Sequence, residues 1–317
     1  MKKSFLLVLL VLIGCMATCS ASTLFPSNAP CERPEIEGVG EDGYLLSDED
    51  EFVYADAENG LWVYVSSEMR VEIDRFKAND LDLVWLSAHI WQKEPTGFET
   101  FFSNEKKPWD DHMNQETLSR RERLIFSCNS DFFSARLGDM PVGIVIRHGK
   151  VISKKTAASR SGIPTLDLMA FYPDGVMKTY GSREYTPDAL LEMGVTDTVC
   201  FGPILVRDGE LKLEYLQNLG HAREPRTALG MIEPGHYVCI LTEGRTKDSE
   251  GVELSWLGQM MAEEGCVEAL NLDGGKTSVM CFMGNKINQT GLPGKDEYAR
   301  RTTDLLGIGH SEKVTKP

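Results

Sequence analysis

Three stretches of the chain share one plan. GIVIRHGKVI from Gly143, LMAFYPDGVMKTY from Leu168 and GPILVRDGELKL from Gly202 each read as an apolar run, a turn containing glycine, and a second apolar run. A turn of that kind between β-rich segments is the strongest short-range sign of a β-hairpin. A chain with three of them has to fold around sheets. The alternation in LWVYVSSEMRVEI from Leu61 and in LDLVWLSAHI from Leu81 adds further strands, because period-two patterning marks a half-buried strand. SVMCFMGNKIN from Ser278 reads as another strand, turn and strand around Gly284 and Asn285.

Helices are few. QETLSRRERL predicts one from Gln115 to Leu124. TPDALLEMG predicts a second, with Thr186 as cap, Pro187 at the first helical position and Gly194 at the end. A third is predicted over about Glu253 to Glu264, where Leu254, Leu257 and Met261 share a face and Gly265 stops the helix. VEALNLDGG then returns as a strand ending at its glycines. Between the early strands and the first helix, Glu94 to Asn114 carries Pro95, Gly97 and Pro108 and reads as an irregular surface excursion. The expected class is α+β, a strand-dominated mixed β-sheet core with a few flanking helices. It occupies a single domain over residues 61–310, preceded by an acidic segment at 22–60 with DEDE at Asp48 to Glu51, and followed by a tail at 311–317.

The chain opens MKKSFLLVLLVLIGCMATCSAS: two lysines, an apolar run from Phe5 to Ile13, then small residues. This is the plan of a secretory signal, and the run is too short to span a bilayer. Two endings compete. LIGC resembles a bacterial lipoprotein signal that leaves Cys15 as the lipid-carrying residue, whereas cleavage after Ala21 releases a free protein; the first is slightly favoured. Either places the protein outside the cytoplasm, secreted or at the cell surface, with membrane contact only through a lipid on Cys15. Without Lys2 and Lys3 the 33 basic residues become 31 against 48 acidic, a net charge of −17. Such a surface does not attract nucleic acid or anionic lipid by bulk charge. An anionic substrate must therefore be met by a local cluster of cations.

Six cysteines lie beyond the signal: Cys31, Cys128, Cys200, Cys239, Cys266 and Cys281. No CxxC occurs among them, so neither a zinc site nor a redox pair is signalled. Four sit in or beside apolar strand-like runs, where a buried free thiol is the commoner state. Export permits disulfides, but the spacing assigns none.

NLDGGKTS, Asn271 to Ser278, ends like a phosphate-binding loop, yet Leu270 stands where that loop needs its first glycine, and a strand rather than a helix follows. GxSxG, HExxH and EF-hand patterns are missing. What remains is a set of polar residues at strand ends. Asn129 and Asp131 follow LIFS, Arg226 opens a strand in REPRTALG, Glu243 and Arg245 close one in ILTEGR, and Asp273 closes another. Polar groups between apolar flanks need hydrogen-bond partners. Together the carboxylates and guanidinium groups suit acid-base chemistry on a phosphorylated substrate.

The order TDTVCFGPILVRDGEL, REPRTALGMI, YVCILTEGR and GVELSWLGQMMAEEGCVEALNLDGG resembles the phosphodiester glycosidase family. CNSDFF and GIVIRHGKVI resemble its earlier strand and hairpin, and ARRTTDLLGI its closing strand. The likeness covers about Leu124 to Gly309. It implies a hydrolase that cuts between a sugar's anomeric carbon and a phosphodiester oxygen, acting on a carbohydrate phosphodiester such as a cell-wall or exopolysaccharide glycan. On that reading Asp273 stands near the anomeric carbon as base or nucleophile, with Glu243 or Asp131 as partner. Arg226, Arg245 and Lys276 meet phosphate, Asn129 bonds sugar hydroxyls, and Gly274 and Gly275, with Thr277 beyond them, line the approach of the ligand. No cofactor is expected. The alternatives are a divalent cation held by Asp131, Glu243 and Asp273 in a phosphodiesterase, and a non-catalytic glycan binder. Two departures from the family pattern stand out: Lys276 where a third glycine is usual, and EGR where DGR is usual.

Overall fold

The computed structural model describes residues 31–106, 111–131, 142–156, 165–219, 221–291 and 299–317. The expected signal at 1–21, with Cys15, lies outside them, as do Pro108 and the phenylalanines of CNSDFF. In chain order the first elements are β1 (Phe52–Asp56), β2 (Leu61–Val65), β3 (Met69–Ala78), β4 (Leu83–Gln92), β5 (Glu99–Phe102), α1 (Gln115–Arg121) and β6 (Leu124–Cys128). The middle adds β7 (Gly143–Arg147), β8 (Lys150–Lys155), β9 (Asp167–Phe171), β10 (Met177–Tyr180), α2 (Pro187–Glu192), β11 (Asp197–Phe201), β12 (Ile204–Arg207), β13 (Glu210–Leu211) and α3 (Leu213–Asn218). The last part contributes β14 (Arg226–Glu233), β15 (His236–Thr242), α4 (Leu254–Glu263), β16 (Glu268–Asn271), β17 (Met280–Phe282), β18 (Asn285–Lys286) and β19 (Asp304–His310).

The strands make a nine-stranded sheet in the order β1-β2-β3-β4-β15-β14-β16-β12-β13 and a five-stranded sheet β18-β17-β6-β19-β5. A three-stranded sheet β10-β9-β11 and the β7-β8 hairpin complete the set. This is the strand-dominated α+β class that the hairpin patterns imply. One core cluster joins the layers: Val71, Ile73, Leu86, Ile90, Leu229 and Leu270 of the large sheet meet Phe126, Met280 and Leu306 of the second sheet and Met169 and Val199 of the third. The other face of the large sheet presents Phe76, Trp85, Val238 and Ile240, which Leu216 of α3 and Leu257, Met260 and Met261 of α4 cover. Burying each such side chain contributes about 1.5–3 kcal/mol.

Local chemistry sets the helix ends. The Thr186 hydroxyl accepts the Ala189 N–H at 3.2 Å and Pro187 sits at the first turn, so α2 starts where its sequence says. α1 stops at Arg121, earlier than expected, because Arg123 takes a positive φ of 55° and Leu124 turns inward to begin β6. The excursion at 94–114 contains β5, whose Phe102 lies opposite Asp304 of β19, and Phe98 and Phe102 are buried. The acidic segment is also partly built into the fold: β1 pairs with β2, and Leu45 packs on Leu61, Val63 and Val65. Cys128, Cys200, Cys239, Cys266 and Cys281 are buried and unbridged.

One ion cluster pins the three smaller sheets together. The Arg147 guanidinium at the end of β7 pairs with Asp131 beyond β6 and, at 2.8 Å, with Asp304 of β19, and it donates to the Thr198 carbonyl of β11. Asp131 Oδ1 accepts the Cys200 N–H at 2.6 Å. Burial pushes the Asp131 carboxyl up to about 7, against the pull of Arg147 and with the help of the Asp304 charge. Removing one member of such a buried set strands the others. Arg147→Leu is expected to lower unfolding free energy by about 3–5 kcal/mol in a denaturant titration. A carboxyl raised in this way takes up its proton at a higher pH in the folded state than in the unfolded chain. Stability should therefore rise as pH falls from about 7 toward 4, a slope that Asp131→Asn removes.

Candidate functional site

Strand register brings the candidate residues to one end of the layers. Arg226 lies opposite Thr242, the residue before Glu243, and Ala228 lies opposite Asn271, two residues before Asp273. In the second sheet Cys128, the residue before Asn129, lies opposite Met280. The segment from β16 to β17, NLDGGKTS, is therefore the crossing from one sheet to the other.

Asn129 governs that crossing. Its Oδ1 accepts the Thr227 hydroxyl at 2.7 Å and the Val279 N–H at 3.2 Å, and its Nδ2 donates to the Asp273 carbonyl at 2.9 Å. Its own N–H donates to the Val279 carbonyl at 3.1 Å. A residue fully shielded from solvent is thus bonded to the protein's own frame. Asp131, expected as a possible partner of Asp273, sits in the Arg147 cluster. Both its oxygens serve the Arg147 cluster and the Cys200 N–H.

The glycines have a physical reason. A Cβ on Gly274 would lie 2.7 Å from the Pro225 carbonyl oxygen. The Gly275 N–H donates to that same oxygen at 2.9 Å from a backbone with φ of +67°. The loop presses on Pro225, so the close approach expected toward a ligand is made first to the chain itself.

Asp273 is 3% exposed, and its Oδ1 accepts the Gly274 N–H at 2.9 Å. Arg300 lies 3.5 Å from its Oδ2, donates to the Thr277 hydroxyl at 2.8 Å, and gives its N–H to the Lys276 carbonyl at 2.8 Å. Sequence reasoning missed Arg300, although the ARR of ARRTTDLLGI marks cations just before a buried strand. Thr277 is buried, with its carbonyl taken by the Gln115 amide at 3.0 Å, so it braces the loop from within. Lys276 is half-buried, and among the described residues its ammonium makes no ion pair.

Arg245 flanks the same loop: a Cβ on Gly275 would meet its guanidinium at 3.3 Å, and it pairs with Glu224. Glu243 is 1% exposed; its Oε1 accepts the Gln289 N–H at 2.8 Å and its Oε2 lies 3.5 Å from Arg75. Arg226, expected at the phosphate, bonds backbone carbonyls. Its Nε donates to the Val252 carbonyl at 2.8 Å and its Nη2 to the Ala222 carbonyl at 3.0 Å. Burial lowers its pKa to about 10, offset in part by Glu224 and Glu253, and the group stays charged at neutral pH. Its hydrogen bonds brace the loop before β14.

The structure thus gathers Asp273, Gly274, Gly275, Lys276, Thr277, Arg245 and Arg300 around one loop, with Glu243 beyond the end of β15, two strands from β16. A shielded carboxylate beside a guanidinium, with two further cations nearby, can stabilise charge on a phosphate and act on an adjacent carbon. Among the described residues no group of three or more His, Cys, Asp or Glu is arranged to hold a metal ion, and no helix is long and apolar enough to cross a membrane.

Comparison with known proteins identifies a family and a fold. The family profile described as phosphodiester glycosidase matches residues 122–309, more than half of the chain. The SPbeta prophage-derived uncharacterized protein YomE of Bacillus subtilis (strain 168) is 28% identical over 207 residues, or 64% of this chain. That match spans only 31% of YomE. Among solved structures, the zebrafish N-acetylglucosamine-1-phosphodiester alpha-N-acetylglucosaminidase catalytic domain, auto-inhibited by its pro-peptide, superposes with a TM-score of 0.62 at 14% identity, covering 83% of this chain and 88% of that one. A hypothetical protein from Synechocystis superposes with a TM-score of 0.52 at 12% identity over 76% of this chain and 62% of that one. At these identities the likeness establishes the fold alone.

The hydrogen bonds of Asn129 lead to a stability test. Asn129→Ala leaves a buried hydroxyl and a buried N–H without an acceptor. It is expected to cost about 2–6 kcal/mol in a denaturant titration, at roughly 1–3 kcal/mol per stranded group.

Proposed function

The chain belongs to the phosphodiester glycosidase family, and on that premise we propose that it is an exported hydrolase of sugar-1-phosphodiesters on a cell-surface or exopolysaccharide glycan. Water adds to the anomeric carbon, the bond from that carbon to the phosphodiester oxygen breaks, and the electron pair leaves with the phosphate. The products are a free sugar and a phosphomonoester. Export rests on the signal pattern of residues 1–21.

The observation that carries the reading is the Asp273 carboxylate, shielded from water and held 3.5 Å from Arg300 where the chain crosses between sheets. Asp273 acts at the anomeric carbon as base or nucleophile, with Glu243 as its partner. Phosphate is a good leaving group, so strong protonation matters less than in ordinary glycoside hydrolysis. Preorganised positive charge on the departing oxygen matters more, and Arg245, Lys276 and Arg300 supply it. Lys276, standing where the family pattern has a third glycine, narrows the pocket and favours one reading besides hydrolysis, a glycan binder of the same fold.

Incubation of the protein with UDP-N-acetylglucosamine or a sugar-1-phosphodiester in oxygen-18 water, with and without chelator, tests the proposal. Label in the sugar is expected, at a rate the chelator leaves unchanged. Label in the phosphate would mean P–O cleavage, and binding without turnover would mean a binder. Asp273→Asn should lower turnover by about 10²–10⁴-fold while keeping the thermal midpoint. Arg300→Ala should lower it by at least roughly tenfold, as expected when a charge-stabilising contact is lost. Full turnover in both variants would overturn the site.

A further inference from the structure

An open cleft of about 510 Å³ runs beside β12, next to the edge strand β13, and is lined by Asp167, Arg207, Asp208, Glu210, Lys212 and Tyr215, with Ile204 at one end. Tyr215 on α3 is 44% exposed, one of the most exposed aromatic rings of the described chain. The phenol is pushed above its ordinary pKa by burial of its hydroxyl end and by the Asp167 charge. The ring and that carboxylate therefore share one space. A flat apolar ring with a polar tip, set among a few fixed polar groups, is the usual composition of a small-molecule site.

The charges of this cleft are already matched. Arg207 makes a two-pronged pair with Glu184 at 2.6 and 2.8 Å, Lys212 pairs with Glu210 at 2.8 Å, and Lys178 pairs with Asp208 at 3.1 Å. Asp167 accepts the Thr165 hydroxyl at 2.9 Å and the Ile204 N–H at 3.2 Å. The lining holds three carboxylates against two cations, so an anionic polymer meets net repulsion. A neutral chain of sugars meets the reverse: carboxylates only accept hydrogen bonds and hydroxyls donate them. Tyr215 offers its face to the apolar side of a pyranose ring.

The cleft is also strapped to the candidate site. The Asn271 side chain donates to the Gly202 carbonyl at 2.8 Å and its N–H to the Pro203 carbonyl at 3.1 Å, while the Gly202 N–H donates to the Asn271 carbonyl at 2.9 Å. Ile204 lies opposite Leu270 in the sheet, so the upper lip of the cleft is on the order of 10 Å from Asp273 at strand spacing and rise. We infer that this cleft is a subsite for a neutral oligosaccharide, the part of the substrate beyond the scissile phosphodiester, with Tyr215 as its stacking platform and Asp167 as a hydroxyl acceptor. The inference rests on the glycosidase reading for its place in the reaction and not for the binding itself.

Titration calorimetry with maltohexaose, cellohexaose and chitohexaose tests it on the full chain. At least one hexasaccharide is expected to bind the wild type and to bind Asp273→Asn equally well. Tyr215→Ala should weaken that binding at least tenfold with the thermal midpoint unchanged, and Tyr215→Phe should retain most of it. If no hexasaccharide binds, or Tyr215→Ala binds like the wild type, the subsite is wrong. Hydrolysis of a short sugar-1-phosphodiester is read separately. Binding without hydrolysis would sink the enzymatic reading and leave the subsite standing, and hydrolysis without binding would do the opposite.

Discussion

A single amide holds the two largest sheets in register. Asn129 follows β6, and its side chain reaches Thr227 of β14, the backbone of Asp273 and the N–H of Val279. Those bonds fix the course of the segment between β16 and β17 together with the Gly275 N–H on Pro225, the Gln115 amide on Thr277 and the backbone N–H of Arg300 on Lys276. Everything proposed for the site hangs from that segment: the Asp273 carboxylate, the glycines against Pro225, and the Arg300 contact that orders the loop. The low dielectric of the interior makes such a network strong when complete and costly when broken. The Arg147 cluster does similar work for the smaller sheets, with charge in place of an amide.

What could be read in the sequence was local. Hairpins announced themselves through a glycine between apolar runs, and the Thr186, Pro187 and Gly194 signals framed α2 because capping is decided within one turn. β5 was hidden, since Phe98 and Phe102 sit among prolines and glycines and find their partner only at β19. β1 was hidden by the acids around it, and α3 is too short for its period to show. The same division holds at the site. Asp273, Arg245 and the glycines were legible as a strand end that had to do something. Asn129 and Asp131 were legible as polar groups needing partners, but the sequence could not say that the partners are the protein's own strands. Arg300 was invisible because its relation to Asp273 exists only after folding.

The chain as a whole carries a net charge of −15, so the cations at the crossing are a local exception. Arg245, Lys276 and Arg300 converge on one loop. Surrounding carboxylates and salt screen that field within about 10 Å. An anionic group would feel it only on arrival, which favours selection at the site over long-range steering. The β12 cleft, with its matched charges, is the complementary case of a surface on which hydrogen bonds and stacking outweigh net charge.

The partners of Asn129 are 98, 144 and 150 residues away along the chain. Contacts that distant carry a loop-closure cost that their hydrogen bonds have to offset. The crossing therefore closes only once strands from the first half of the chain and from its last third are both in place. A nascent or locally opened molecule can hold its hairpins and helices and still lack a site. The proposed site therefore depends on both sheets at once and is lost when they part.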